Sequence, residues 1–295
     1  MQIQRDFRAT DPAIELFTCG CGQADCQIAR LRPFREHIAM LIRAILSADH
    51  EGLFENANGS VESYAGTIYS LQMAASIEDV FADPSYVDDS GAAYWCSAAW
   101  ESDEYDREQA SKYAAALSIF SFIWMSYESL LLEKFNDRFR HDKPAVKARK
   151  IFAEETSSVD STPSLAYLTK LARSCFDTSD ELQTQISNIK IDQLNRPSSY
   201  GAEIVRLFRN HVIHGRDPIP IYNFDGTWAF RRFYSASKLI LVLIQLLVKL
   251  KLTDLNVSIP LSNNEELEKA EAGTLFETMH LKGEMAQLPL FLPID

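Results

Sequence analysis

The chain has 295 residues, with 41 acidic against 29 basic side chains and a formal net charge of −12. A hydrophobic share of 46% beside 24% charged residues is globular and excludes an intrinsically disordered chain. Eleven glycines and eleven prolines exclude collagen-like and low-complexity classes, no solenoid period is present, and the net negative charge argues against indiscriminate nucleic-acid binding.

In chain order, the first residues are polar and lack the apolar core of a secretory signal. Residues 18–26, TCGCGQADC, form a turn-rich segment. Pro33 is a favourable first-turn residue, and Ile38, Leu41, Ile42, Ile45 and Leu46 follow with the spacing of an amphipathic helix. A second helix is predicted over 61–81, ending before Asp83-Pro84. Residues 106–139 contain no Gly or Pro, and Tyr113, Leu117, Phe120, Trp124, Tyr127, Leu131 and Phe135 recur every three or four positions. That is one long buried stripe. Shorter helices are predicted at 145–155, 164–174 and 180–190. Another starts at Ser198 as its cap and runs to about His214, with Gly215 as the residue that ends it.

Asp225-Gly226 at the centre of 219–230 predicts a hairpin. A last core helix is expected over 235–252, and one near 264–277. The most apolar run, 239–250, is broken by Gln245 and Lys249 and falls short of the about 20 residues that cross a bilayer. It therefore reads as a buried helix. The expected fold class is mostly α: a helical bundle over 105–255, an N-terminal and largely helical region over 1–104, a small β-hairpin, and an acidic extension over 256–295. Five cysteines, an odd number, do not form a closed disulfide framework, so a reducing cytoplasm is expected, with no membrane association.

Charge is uneven. Residues 77–108 hold ten acidic and one basic residue, and 265–295 hold seven and two. Basic residues gather instead at 137–150 (six against two acidic) and 190–216 (five against two), where a polyanion can be held or a helix face solvated.

The informative segment is Arg206-Leu207-Phe208-Arg209-Asn210-His211-Val212-Ile213-His214-Gly215. On a helix, Ile204, Phe208 and Val212 form an apolar stripe, while Asn210 and His214 sit one above the other with Arg209 beside them. The C-terminus of a helix stabilises a protonated imidazole. A histidine able to exchange a proton beside a fixed guanidinium suits phosphodiester chemistry: the arginine holds the phosphate, and the histidine is general base or acid.

Arg209-Asn210-x-x-x-His214, followed by Gly215, resembles the R-x4-6-H motif of the HEPN superfamily, in which a polar residue, often Asn, follows the Arg. The upstream helix with Tyr127-Glu128-Ser129-Leu130-Leu131 is similar to the first helix of that bundle, and the resemblance covers residues 105–255. It implies a metal-independent endoribonuclease that dimerises so that two motif helices form one composite site. Such enzymes cleave tRNA, mRNA or rRNA by attack of the 2′-OH, leaving a 2′,3′-cyclic phosphate, in toxin–antitoxin or antiviral systems. By the resemblance, Arg209, Asn210, His214 and Glu128 are the catalytic set, Arg206, Arg216 and His211 the RNA contacts, and an antitoxin or other protein a regulator. A tyrosine two residues after the histidine is common in toxins paired with nucleotidyltransferase antitoxins; here Arg216 stands there, which counts against regulation by its adenylylation. The alternative is a non-catalytic module of the same fold that binds RNA or protein, with Arg209 paired to Glu128 or Glu203, His214 capping its helix, and His211 in the core.

Cys19, Cys21 and Cys26 lie where thiolates can converge on a structural zinc, with His37 or Cys96 as a fourth ligand, or stand as reduced thiols near a turn. Tyr94, Trp95 and Trp100 can stack bases, but their acidic flanks favour packing or a protein contact. The acidic 77–108 segment can also be read as an inhibitory mimic of nucleic acid. No P-loop, GxGxxG, GxSxG, HExxH or EF-hand pattern occurs.

Overall fold

The computed structural model describes residues 8–21, 23, 26–54, 64–87, 95–176, 179–189, 196–216, 230–261 and 269–282, and these are mostly helical. The helices are α1 (Asp11–Leu16), α2 (Gln27–Arg30), α3 (Phe34–His50), α4 (Ala65–Ser76), α5 (Ser97–Lys134), α6 (Pro144–Glu154) and α7 (Thr156–Val159). They continue as α8 (Leu165–Cys175), α9 (Asp180–Ser187), α10 (Pro197–Ile213), α11 (Arg231–Lys249) and α12 (Ala272–Thr278). Two short strands, β1 (Ser258–Pro260) and β2 (Lys269–Glu271), pair antiparallel with Ile259 opposite Ala270. The hairpin expected at 219–230 lies outside the described residues apart from Phe230. The helix expected near 264–277 is the shorter α12, preceded by β2.

The long aromatic stripe is buried as expected: Phe120, Trp124, Tyr127, Leu131 and Phe135 face inward, with Tyr113 and Leu117 packed at the margin. Phe120 of α5, Phe208 of α10 and Phe233 of α11 meet pairwise at ring separations of 5.4–5.8 Å, and Phe176 stacks on Phe208 at 4.4 Å. Aromatic pairs of this geometry add stability beyond the area they bury. By length and composition α5 could cross a membrane, but 56% of its most apolar window is buried within the protein.

α5 starts at Ser97, nine residues before its expected start, because Ala98, Ala99, Glu101 and Glu104, good helix formers, extend it without a periodic apolar stripe to betray it. The expected boundary at 104/105 thus falls inside one helix. The extension from 256 is not a detached tail either. Ile259, Leu261, Leu275, Phe276 and Met279 join one core with Ile38, Leu41 and Ile45 of α3.

α11 is buried at every residue from Arg232 to Lys249. A helix buried all round must satisfy its polar side chains internally. Lys238 donates to the Arg32 carbonyl at 2.7 Å, and Lys249 donates to the Ser158 carbonyl at 3.0 Å and pairs with Glu277. Gln245 stands between them. Its Nε2 donates to the Phe276 carbonyl (2.8 Å) and to His280 Nδ1 (3.1 Å), and its Oε1 accepts from His37 Nε2 (3.0 Å). His280 Nε2 reaches the Pro163 carbonyl at 2.8 Å.

That carbonyl can only accept, so His280 carries its proton on Nε2 and offers a bare Nδ1 to the amide. The run His37–Gln245–His280–Pro163 therefore has one direction of donation and is built for two neutral imidazoles. Burial, with the charges of Lys238 and Arg32 nearby, pushes His280 down to about 4, and burial and Lys238 hold His37 well below its ordinary range.

Two outcomes follow from these contacts. Between pH 6.5 and 4 the unfolded chain takes up a proton on His280 that the folded chain refuses. Stability therefore falls as pH falls through that window, by about 3 kcal/mol at its lower end. Urea unfolding against pH should show a slope there that is shallower in His280→Gln. The second concerns α10, whose expected cap, Ser198, lies instead inside the helix. The backbone N–H and Oγ of Ser198 both donate to Asp160 Oδ1, at 3.0 and 2.5 Å. Asp160→Ala should then lower stability by about 1–2 kcal/mol, read as a drop in melting temperature, whereas Ser198 variants that keep the helix should lose less.

Candidate active site

α10 begins at Pro197, is capped from α7's side by Asp160, and ends in a Schellman arrangement. The Gly215 N–H donates to the Val212 carbonyl at 3.0 Å, and the Arg216 N–H donates to the His211 carbonyl at 3.1 Å. Gly215 has φ +67°, a conformation that costs a side-chain-bearing residue about 1 kcal/mol or more. His214 is the capping residue between helix and turn. Its N–H donates to the Asn210 carbonyl at 3.1 Å and its side chain is exposed.

Arg209 leaves α10 toward α5. Its guanidinium lies over the Trp124 ring, 5.5 Å from the centroid, and Nη2 stands 4.0 Å from Glu128 Oε1. Nη1 reaches Asn210 Oδ1 at 3.5 Å, the outer limit of a hydrogen bond, and Nε is buried without a hydrogen-bond acceptor. Arg209 and Glu128 are each about one-third exposed. The Arg209, Asn210 and Glu128 side chains are therefore gathered in one patch, with His214 one helical turn beyond Asn210. An anion arriving there meets a guanidinium with spare donors on an aromatic platform, held by a carboxylate at arm's length rather than locked in a tight pair.

The expected RNA contacts fare differently. Arg206 does not stand free, because Nε and Nη2 both donate to Glu203, at 2.9 and 2.7 Å, and Glu203 holds its guanidinium above the usual range. Arg216 pairs with Glu181. The His211 side chain is buried at 5% exposure, so it does not face the surface on which RNA contacts were expected. Helix geometry explains it: His211 lies one turn from Phe208 and two from Ile204, both fully buried, on the side of α10 that packs inward.

Two residues were missed. Trp124 could have been found from its i, i+4 relation to Glu128 on the same helix face. Glu203, read from the sequence only as a partner of Arg209, is buried and shared by Arg206 and Arg149 (3.6 Å); its i, i+3 spacing to Arg206 was the local signal.

The Sγ atoms of Cys19, Cys21 and Cys26 all lie within 4.8 Å of one another and form a group able to hold a metal ion. The Ala29 N–H and the side chains of Cys21 and Cys19 hold the Cys26 thiol below its ordinary range, which favours a thiolate. His37 is not a fourth ligand, since the Gln245 network encloses it, and Cys96 stays exposed at the start of α5 outside the group. Trp95 and Trp100 are 90% and 56% exposed, so of the two roles expected for them, packing or a protein contact, they do not take the first in the core; Tyr94 lies outside the described residues.

No protein-family model matches the sequence, and neither the curated proteins nor the solved structures yield a match.

Proposed function

We propose that the protein is a metal-independent endoribonuclease of HEPN type, acting as a cytoplasmic homodimer in a toxin–antitoxin or antiviral role under a protein regulator. The observation that carries this reading is the convergence of Arg209, Asn210 and Glu128 beside the helix end that presents His214. Arg209 holds the non-bridging oxygens of the scissile phosphate and stabilises the charge that builds there. Glu128 and Asn210 position its guanidinium. His214 takes the proton of the ribose 2′-OH as the 2′ oxygen bonds to phosphorus. The P–O5′ bond breaks with its electron pair on the 5′ oxygen, which takes a proton from His214 of a second copy. The products are a 2′,3′-cyclic phosphate and a 5′-OH. A dimer is required because each chain supplies one such histidine.

The test is incubation of the purified protein with tRNA, mRNA and rRNA in excess EDTA, with His214→Ala alongside. Cleavage that leaves cyclic phosphates, lowered about 10²–10⁴-fold in the variant, is the expected result. No cleavage by folded, dimeric protein, or equal cleavage by both, sinks the reading. A second reading, a non-catalytic module binding RNA or protein, is favoured by the ion pairs of Arg206 and Arg216 and by the turn of Arg209 toward Glu128. Retarded RNA mobility without cleavage would point to it.

We further propose that Cys19, Cys21 and Cys26 hold a structural Zn²⁺. The convergence of three sulfurs supports this. Elemental analysis should find one zinc per chain, lost in Cys21→Ser. Metal-free protein whose thiols react at the same rate with and without added zinc would refute it.

A further inference from the structure

A cleft of about 470 Å³ lies between α6, α9 and α10, within the size range of small-ligand sites. Glu203, 6% exposed, lines it. Its carboxylate takes both forks of Arg206 and stands 3.6 Å from Arg149 Nη1, so one buried negative charge fixes two guanidinium groups. The assembly keeps one net positive charge. Both arginines retain donors not spent on Glu203, and their side chains are about a quarter exposed. Asn188 and Gln185, whose Nε2 donates to Glu181 Oε1 at 3.3 Å, add two carboxamides with donors and acceptors, and Ile189 and Leu207 give apolar surface. Paired guanidinia suit a phosphate; carboxamides beside an apolar wall suit the edge and face of a base.

The position of the cleft links it to the motif. At about 100° per residue, Glu203, Leu207, Asn210 and His214 share one side of α10. α9 runs antiparallel beside α10: Glu181 pairs with Arg216 near His214, while Asn188 lies beside Glu203 and Arg206 at the other end. The cleft therefore lies on the His214 side of α10, about 12 Å away along the helix from residue 214 to 206.

We propose that this cleft is a nucleotide-binding subsite that takes one unit of a single-stranded RNA beside the scissile phosphate, Arg149 and Arg206 meeting its phosphate and Gln185 and Asn188 its base. Its place in RNA cleavage rests on the ribonuclease reading; its binding of a nucleotide does not.

The test is calorimetric titration with the four ribonucleoside 3′-monophosphates and with inorganic phosphate, using wild type, Arg149→Ala, Asn188→Ala and His214→Ala. One-to-one binding of at least one nucleotide is expected, tighter than phosphate. It should weaken tenfold or more in Arg149→Ala and Asn188→Ala, each shown to be folded, and persist in His214→Ala. With an RNA substrate, Arg149→Ala should raise KM or shift the cut sites while kcat is kept. No nucleotide binding, or phosphate bound as tightly as every nucleotide, overturns the subsite. Cleavage with both cleft variants unchanged in binding and cut sites overturns it while leaving the ribonuclease standing. Nucleotide binding without RNA cleavage supports the cleft and removes the ribonuclease.

Discussion

The structure depends on a polar stripe along a helix that is buried on every side. Lys238, Gln245 and Lys249 are spaced by seven and four residues and so share one face of α11. Each is buried, and each would be costly without a partner. Together they define what surrounds the helix: Lys238 seats the segment before α3, Gln245 joins α3 to α12, and Lys249 joins α7 to α12. An apolar helix of the same shape would pack in several rotations with similar energy. The stripe leaves one rotation in which all three side chains are satisfied.

That rotation sets the site. α11 carries Phe233 against Phe208 of α10 and Phe120 of α5, and the same ring cluster fixes the distance between the helix bearing Arg209 and the helix bearing Trp124 and Glu128. The patch is therefore placed by the core rather than by its own weak contacts. Arg209 stays 4.0 Å from Glu128, near enough to be oriented and too far to be consumed. In an acidic protein this spacing matters, since the neighbouring arginines 206 and 216 are held by carboxylates.

What was legible in the sequence was local. Periodic apolar spacing located α3, the buried half of α5 and α11, and Gly215 marked the end of α10 because only a residue without Cβ enters that turn freely. Arg209, Asn210 and His214 were legible as one helix face for the same reason. Contacts between distant segments were not. Asp160 caps a helix 38 residues later, and nothing near Ser198 announces it. Gln245 and Lys249 read as interruptions of an apolar run because their partners, His37, His280 and Ser158, lie far away in sequence. The pairing of Arg206 was hidden likewise: an i, i+3 carboxylate can be solvated or buried, and only the position of α6 decides.

The junction of the two outer segments also bears on the order of synthesis. Leu31 bridges Leu281, the Arg32 N–H donates to the His280 carbonyl, and Arg32 Nε donates to the Met279 carbonyl across 247 residues. A ribosome makes the α5–α10 patch well before it makes residues 279–282. Until the end of the chain emerges, Gln245 lacks Phe276 and His280, Lys249 lacks Glu277, and α11 keeps an uncovered face. Contacts of such long separation form late and slowly. The nascent chain thus carries all its motif residues while still short of the segment that holds their scaffold in register, so an incomplete chain is handicapped in assembling the site.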